Sequence, residues 1–181
     1  MTPGPIVAFY AETPKPIGGS MSSGRVECIW IKRSATSRAG HRSGGALDPV
    51  DEASFLSGQG IEGDASFGRS TRHVTIIEKE TFDRVRKILP AADPAMRRAN
   101  LMISGIRLEE TQGKILTVSG IRILIKGETV TCDLMDEQCP GLGQALDPHW
   151  GGGAHGIVLD DGRVRIGDEV SLSADPDEHT P

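Results

Sequence analysis

The sequence predicts a mainly β domain, an antiparallel meander or barrel, that carries a few short helices. Three observations lead there. Val, Ile and Leu recur from Val26 to Leu172, while the chain holds only one Tyr, two Trp and four Phe, so its core is built from residues that favour strands. From Arg97 to Cys132 the string RRANLMISGIRLEETQGKILTVSGIRILIKGETVTC divides into four short apolar segments. Gly-containing turns separate them about every ten residues, the pattern of an antiparallel meander or barrel. Helical spacing marks the stretch through Phe82, Val85, Ile88 and Leu89.

Taken in order, residues 1–23 are rich in Pro, Gly and Ser and lack a sustained period, which predicts a flexible tail. GRVECIWIK, Gly24 to Lys32, reads as a strand with Val26, Cys28 and Trp30 on one face and Glu27, Ile29 and Ile31 on the other. Cys28 is read as a small core residue. Residues 33–60 show little hydrophobic order and are expected to form a long loop. GIEGD, Gly60 to Asp64, places two glycines in one turn. A strand over His73–Ile77 then passes into the helix, which Pro90 and Pro94 end.

Beyond Cys132, DLMDEQCPGLGQAL sets Leu134, Leu142 and Leu146 among acids, as a short helix or paired turns would. HGIVLDDGRVRIGDEVSL reads as two closing strands around Asp161-Gly162, a dipeptide favoured in tight hairpins. An acidic tail over 174–181 completes an organisation with one domain, 24–173. At 181 residues and 37% hydrophobic side chains, one full core is what the chain can build.

Charge and targeting features narrow the function classes. A net charge of -5, with no basic stripe, argues against nucleic acid as a partner, because neutralising phosphates needs a surplus of Lys and Arg on one face. IVAFYA, Ile6 to Ala11, is too short for a signal peptide or a membrane span, so the expected location is the cytoplasm, with no membrane partner. Cys28, Cys132 and Cys139 make an odd count without a CxxC pair, which leaves a free thiol and offers no structural zinc site.

Cys132 is the residue with most chemical promise. It follows Thr131 at the end of a strand and precedes Asp133. That position is compatible with a packed small residue, a reactive thiolate or a metal ligand. Asp133, Asp136 and Glu137 would raise a thiol pKa, so activation needs distant arginines or a metal. Arg72, Arg97 and Arg98 stand beside strand starts and suit bidentate phosphate contacts, although each taken singly reads equally as a solvated surface arginine. GIEGD lacks the residues of a nucleotide loop, and Gly60, Gly63 and Asp64 read first as a tight, braced turn. His73, in an apolar strand, reads first as a hydrogen-bonded structural histidine. The remaining histidines have no ligand-like spacing.

In this order GIEGD, RHVTII, RRANLMISGIRL, GETVTCDLMDEQCPGL and RVRIGDEV resemble the MOSC domain, the family named after the C-terminal domain of molybdenum cofactor sulfurase, in its small stand-alone bacterial type. The resemblance spans Gly24 to Leu172. It implies a MOSC-type β-barrel and a molybdenum cofactor (molybdopterin). Cys132 then takes the family's cysteine position as catalytic residue and metal ligand, since a soft thiolate suits a metal already held by dithiolene sulfurs. Arg72, Arg97 or Arg98 would neutralise the pterin phosphate, Asn100 would hydrogen-bond the pterin edge, and Gly63, Asp64 and His73 would complete the cofactor site. At family level the resemblance also implies pyridoxal phosphate binding.

The activity it implies is reduction of N-hydroxylated or N-oxide small-molecule substrates. No flavin or haem motif is visible, so the electrons must come from an external electron-donor protein. The alternative is a non-catalytic sulfur carrier, in which Cys132 bears a persulfide received from a sulfur donor, for cofactor or metal–sulfur cluster assembly. A small barrel that binds a ligand or partner without redox chemistry is the third reading. The chain departs from the family pattern in the insertion SATSRAGHRSGG, in His73 where relatives carry Gln, in Ala99 between the Arg pair and Asn100, and in the glycine run HWGGGAHG.

Overall fold

The computed structural model describes residues 23–33, 47–69, 71–131 and 133–173. Both expected tails lie outside these residues, except Ser23, which opens the first strand. The strands are β1 (Ser23–Lys32), β2 (Leu47–Val50), β3 (Glu52–Leu56), β4 (Gly60–Ile61), β5 (Val74–Glu78), β6 (Leu101–Ser104), β7 (Ile115–Val118), β8 (Ile121–Glu128), β9 (Ala154–Val158), β10 (Gly162–Arg165) and β11 (Glu169–Ser173). Among the described residues three short α-helices accompany them: α1 (Lys79–Ile88), α2 (Asp133–Gln138) and α3 (Leu142–Leu146).

Around the barrel the order is β11-β7-β8-β9-β5-β6-β1, and pairing of β1 with β11 closes seven strands on themselves. Closure leaves no unpaired edge in the barrel wall. β2 is added outside on β1, and β10-β3-β4 form a separate small sheet. The predicted mainly β barrel is therefore the observed one. All the pairings are antiparallel except β5 with β6, which run parallel. A parallel pair needs a crossover, and α1 supplies it, burying Phe82 and Val85 against the outer wall.

Two hydrophobic clusters result. Val26, Ile29, Val74, Ile76, Leu101, Ile103, Leu116, Ile123, Ile125 and Val158 fill the barrel. Trp30, Ile77, Phe82, Met102, Met135, Cys139, Leu142 and Leu146 form a second layer between wall and helices. β5 is buried along its whole length because it carries one face into each layer, which is why VTIIE reads as a continuous run.

Several expectations need correction. The 33–60 segment is not one long loop: its part within the described residues contains β2 and β3, whose Ala53 and Phe55 point into the barrel core. Their signal was masked because β2 contains Pro49 and β3 has only five residues. The stretch after Arg97 gives three strands, not four. Ile106 and Leu108 form no strand but are buried in the barrel core on the way from β6 to β7. The antiparallel meander is consequently confined to β7-β8-β9, with Ser119 and Gly120 at positive φ making its first tight turn.

Asp161-Gly162 does not close a hairpin, since β10 pairs with β3 and β9 with β8 and β5. Ser57 competes for that loop: its amide donates to Asp161 Oδ1 at 2.7 Å and its hydroxyl to Leu159 O at 2.7 Å. In β1 a bulge at Glu27 shifts the alternation, so Val26 joins Ile29 and Ile31 inside the barrel while Cys28 and Trp30 face the second layer. The same shift sends Lys32 to the outer face.

Candidate functional site

On the outer wall, where helical cover by the second layer ends, β1, β5 and β9 present polar side chains in place of apolar ones. Thr75 lies two residues before Ile77 on the outer face of β5, and Lys32 lies two residues after Trp30 on β1. Asn100, fully buried just before β6, joins them. Its Oδ1 accepts from Lys32 Nζ at 2.9 Å, from Thr75 N at 3.1 Å and from Thr75 Oγ1 at 3.0 Å. Its Nδ2 donates to Trp30 O at 3.2 Å and to Asp64 Oδ2 at 2.7 Å. Both amide hydrogens and the carbonyl are thus occupied, and Asn100 works by holding other groups.

Asp64 is delivered by the glycine turn. Gly63 takes φ 78°, and the Asp64 amide closes the turn on Ile61 O at 3.1 Å. The buried carboxylate accepts from the amides of Lys32 and Ser66, each at 2.8 Å. Lys32 Nζ is 3.7 Å from Asp64 Oδ1, so the ammonium is seated between a carboxylate and an amide oxygen.

Burial pushes the Lys32 pKa below its ordinary 10.5; Asp64 opposes this, and the nearby guanidinium groups of Arg72, Arg98 and Arg69 add to it. None of these three arginines has an acidic partner among the described residues. The outer wall around Lys32 therefore carries positive charge that Asp64 only partly offsets.

Arg97 and Arg98, adjacent in sequence, have opposite fates. A 3-10 turn over Pro94–Arg97, capped by Asp93 through the Ala95 amide at 2.8 Å, ends with Arg98 in the left-handed region at φ 57°. Arg98 remains half-buried beside Lys32, whereas Arg97 is buried and donates to Gly152 O at 2.7 Å, Thr129 O at 2.9 Å and Val130 O at 3.4 Å. Arg97 thereby ties the glycine run to the exit of β8. His73 is also committed to the scaffold: it is buried, and its Nδ1 accepts from Val158 N at 3.2 Å.

Cys132 lies outside the described residues, between Thr131 and α2. The other two thiols offer no substitute. Burial first, then Glu27 and Asp93, pushes the Cys28 thiol up, and Cys139 is buried in the second layer. Among the described residues no cluster of His, Cys, Asp and Glu is arranged to hold a metal ion, and no helix is long and apolar enough to cross a membrane.

Sequence reasoning located Gly63, Asp64, Arg72, Arg98 and Asn100, which the fold brings around Lys32. It overlooked Lys32, Arg69, Thr75 and His155 as members of this site. A lysine closing the otherwise apolar CIWIK run was the available signal for Lys32. His155 is the direct cross-strand neighbour of Thr75, a relation that only the β5-β9 register reveals.

Residues 62–171 match the MOSC domain family. No curated protein matches the chain. Among solved structures, the YuaD protein from Bacillus subtilis aligns with a TM-score of 0.69 at 23% identity, covering 84% of this chain and 97% of that one. YiiM from Geobacillus stearothermophilus aligns with a TM-score of 0.62 at 16% identity, covering 83% and 75%. YiiM from Escherichia coli gives 0.59 at 18% identity, covering 86% and 73%. At these identities the likeness establishes the fold.

Proposed function

Because the chain belongs to the MOSC domain family, which is linked to molybdenum-cofactor binding, we propose that it holds this cofactor on the outer wall around Lys32 and reduces N-hydroxylated or N-oxide substrates there, with electrons from an external donor protein. The observation carrying this reading is the uncompensated charge. The charges of Arg72, Arg98 and Arg69 act on Lys32, and none of the three has an acidic partner among the described residues. Such a set fits a ligand bearing phosphate, and guanidinium forks suit its oxygens.

In this reading Arg72 and Arg98 receive the phosphate, and Lys32 adds a point charge whose position Asn100 and Asp64 fix. Gly63 permits the turn that brings Asp64 under Lys32. His73 and Arg97 act one step back, holding main chain at β9 and at the exit of β8. Cys132 is the proposed metal ligand, its soft sulfur matched to a metal with sulfur neighbours. When bound, the cofactor supplies a two-electron metal centre for oxygen-atom transfer.

The test is molybdenum quantification on wild type and Cys132→Ser, purified side by side from cells that make the cofactor. Substantial metal in the wild type and little in the variant is expected. Equal content in both would remove Cys132 as ligand. A persulfide on Cys132 with no molybdenum in either would assign the chain to sulfur carriage.

A further inference from the structure

His155, half-buried on β9, lies beside the cationic patch across the β5-β9 pairing. Its Cα partners are Thr75 on β5, whose hydroxyl is bonded to Asn100, and Gly127 on β8. A β-carbon on Gly127 would lie 3.9 Å from His155 Cε1, so the missing side chain leaves room beside the imidazole. Cross-strand partners on one face stand about 5 Å apart at Cβ, which sets His155 on the face of the wall that carries Thr75. Its Nδ1 is buried without a close hydrogen-bond partner among the described residues, the Glu128 main chain being the polar group that acts on the ring, a condition that native structures rarely leave unexplained.

We propose that His155 is the proton-accepting contact of this anion site: an anion held by Arg72 draws a proton from solvent onto the imidazole, so that ligand binding and proton uptake are coupled. This inference rests on the anion-binding reading of the patch given above. The groups acting on the ring are Arg72 from the approach to β5, Lys126 and the Glu128 main chain from β8, and no acidic side chain is among them. Burial and the two cations hold the free ring below its ordinary 6.5, the Glu128 backbone opposing. An arriving anion offsets Arg72 and adds its own negative charge, which reverses the sign of that influence. By reciprocity, whatever raises the ring's affinity for a proton makes the proton raise the affinity for the anion.

Inorganic sulfate is the probe, because it keeps its charge from pH 5.5 to 7.5 and so contributes no proton of its own. Calorimetric titration in buffers of different protonation enthalpy counts the protons taken up. Wild type is expected to gain affinity as pH falls, by up to about tenfold per pH unit, the limit for one proton. His155→Gln is expected to bind sulfate with a flat pH profile and no uptake.

Sulfate binding with no uptake in wild type, or with undiminished uptake in His155→Gln, overturns the proposal while leaving the anion site intact. Absence of sulfate binding to wild type overturns the anion site, and this proposal with it. A measurement on wild type alone, following the His155 ring by NMR, is expected to show its pKa rising when sulfate is added; an unmoved pKa is a second contradiction. Arg72→Gln, at an exposed position, is expected to weaken sulfate binding and to raise the pKa of the free ring.

Discussion

At Asp64 one carboxylate receives the Lys32 amide, the Ser66 amide and Asn100 Nδ2, all within 2.8 Å, and faces the Lys32 ammonium. Removing it strands two buried donors and one half-buried one and leaves a half-buried cation without its counter-charge. Asp64→Ala is therefore expected to lower the unfolding free energy by about 3 kcal/mol or more. Denaturant midpoints with an unchanged slope measure this, and a loss under about 1 kcal/mol would mean that the network holds without its acid. Residue identity alone read Asp64 as the brace of its turn, and it was the resemblance that singled out Asn100. It did not announce what Asn100 does, since five hydrogen bonds from one amide depend on four separate chain segments meeting.

Among elements, the exit of β8 is held from outside by the glycine run. A β-carbon on Gly152 would lie 2.4 Å from Thr129 O and 3.5 Å from Arg97 Nε, and a main-chain oxygen cannot swing aside. Gly152→Ala is expected to destabilise by about 1–3 kcal/mol through overpacking. It should also speed hydrogen exchange at the Thr129 amide, which donates to Gly153 O at 2.8 Å. Unchanged exchange over 129–131 would show that Arg97 does not depend on this close approach. HWGGG gave no periodic signal, and its role emerges only from what it touches. The bulges at Glu27 and Lys126 were equally hidden, because a single inserted residue leaves composition untouched while reversing which face each later side chain occupies.

For the whole molecule, a mainly β meander or barrel was legible from Val/Ile/Leu recurrence and turn spacing, the choice of a barrel from the family resemblance, and the β5-α1 succession from a change of period. The pairing order was not. That β5 runs parallel to β6, and that β10 leaves β9 for β3, are decided by long-range packing and by Ser57 rather than by the Asp161-Gly162 turn. The same long-range order places Lys32, Thr75 and His155 on the outer face of the wall from three strands far apart in sequence.

The central claim is that this cationic wall retains an anionic pterin by charge. It is tested most directly by measuring pterin and molybdenum per protein in wild type and in Arg72→Gln/Arg98→Gln, expressed together in cofactor-producing cells. The double variant is expected to fold with wild-type stability, both side chains being free of ion pairs among the described residues, and to lose most of both components. A folded double variant that keeps the wild-type amount of pterin would contradict the account.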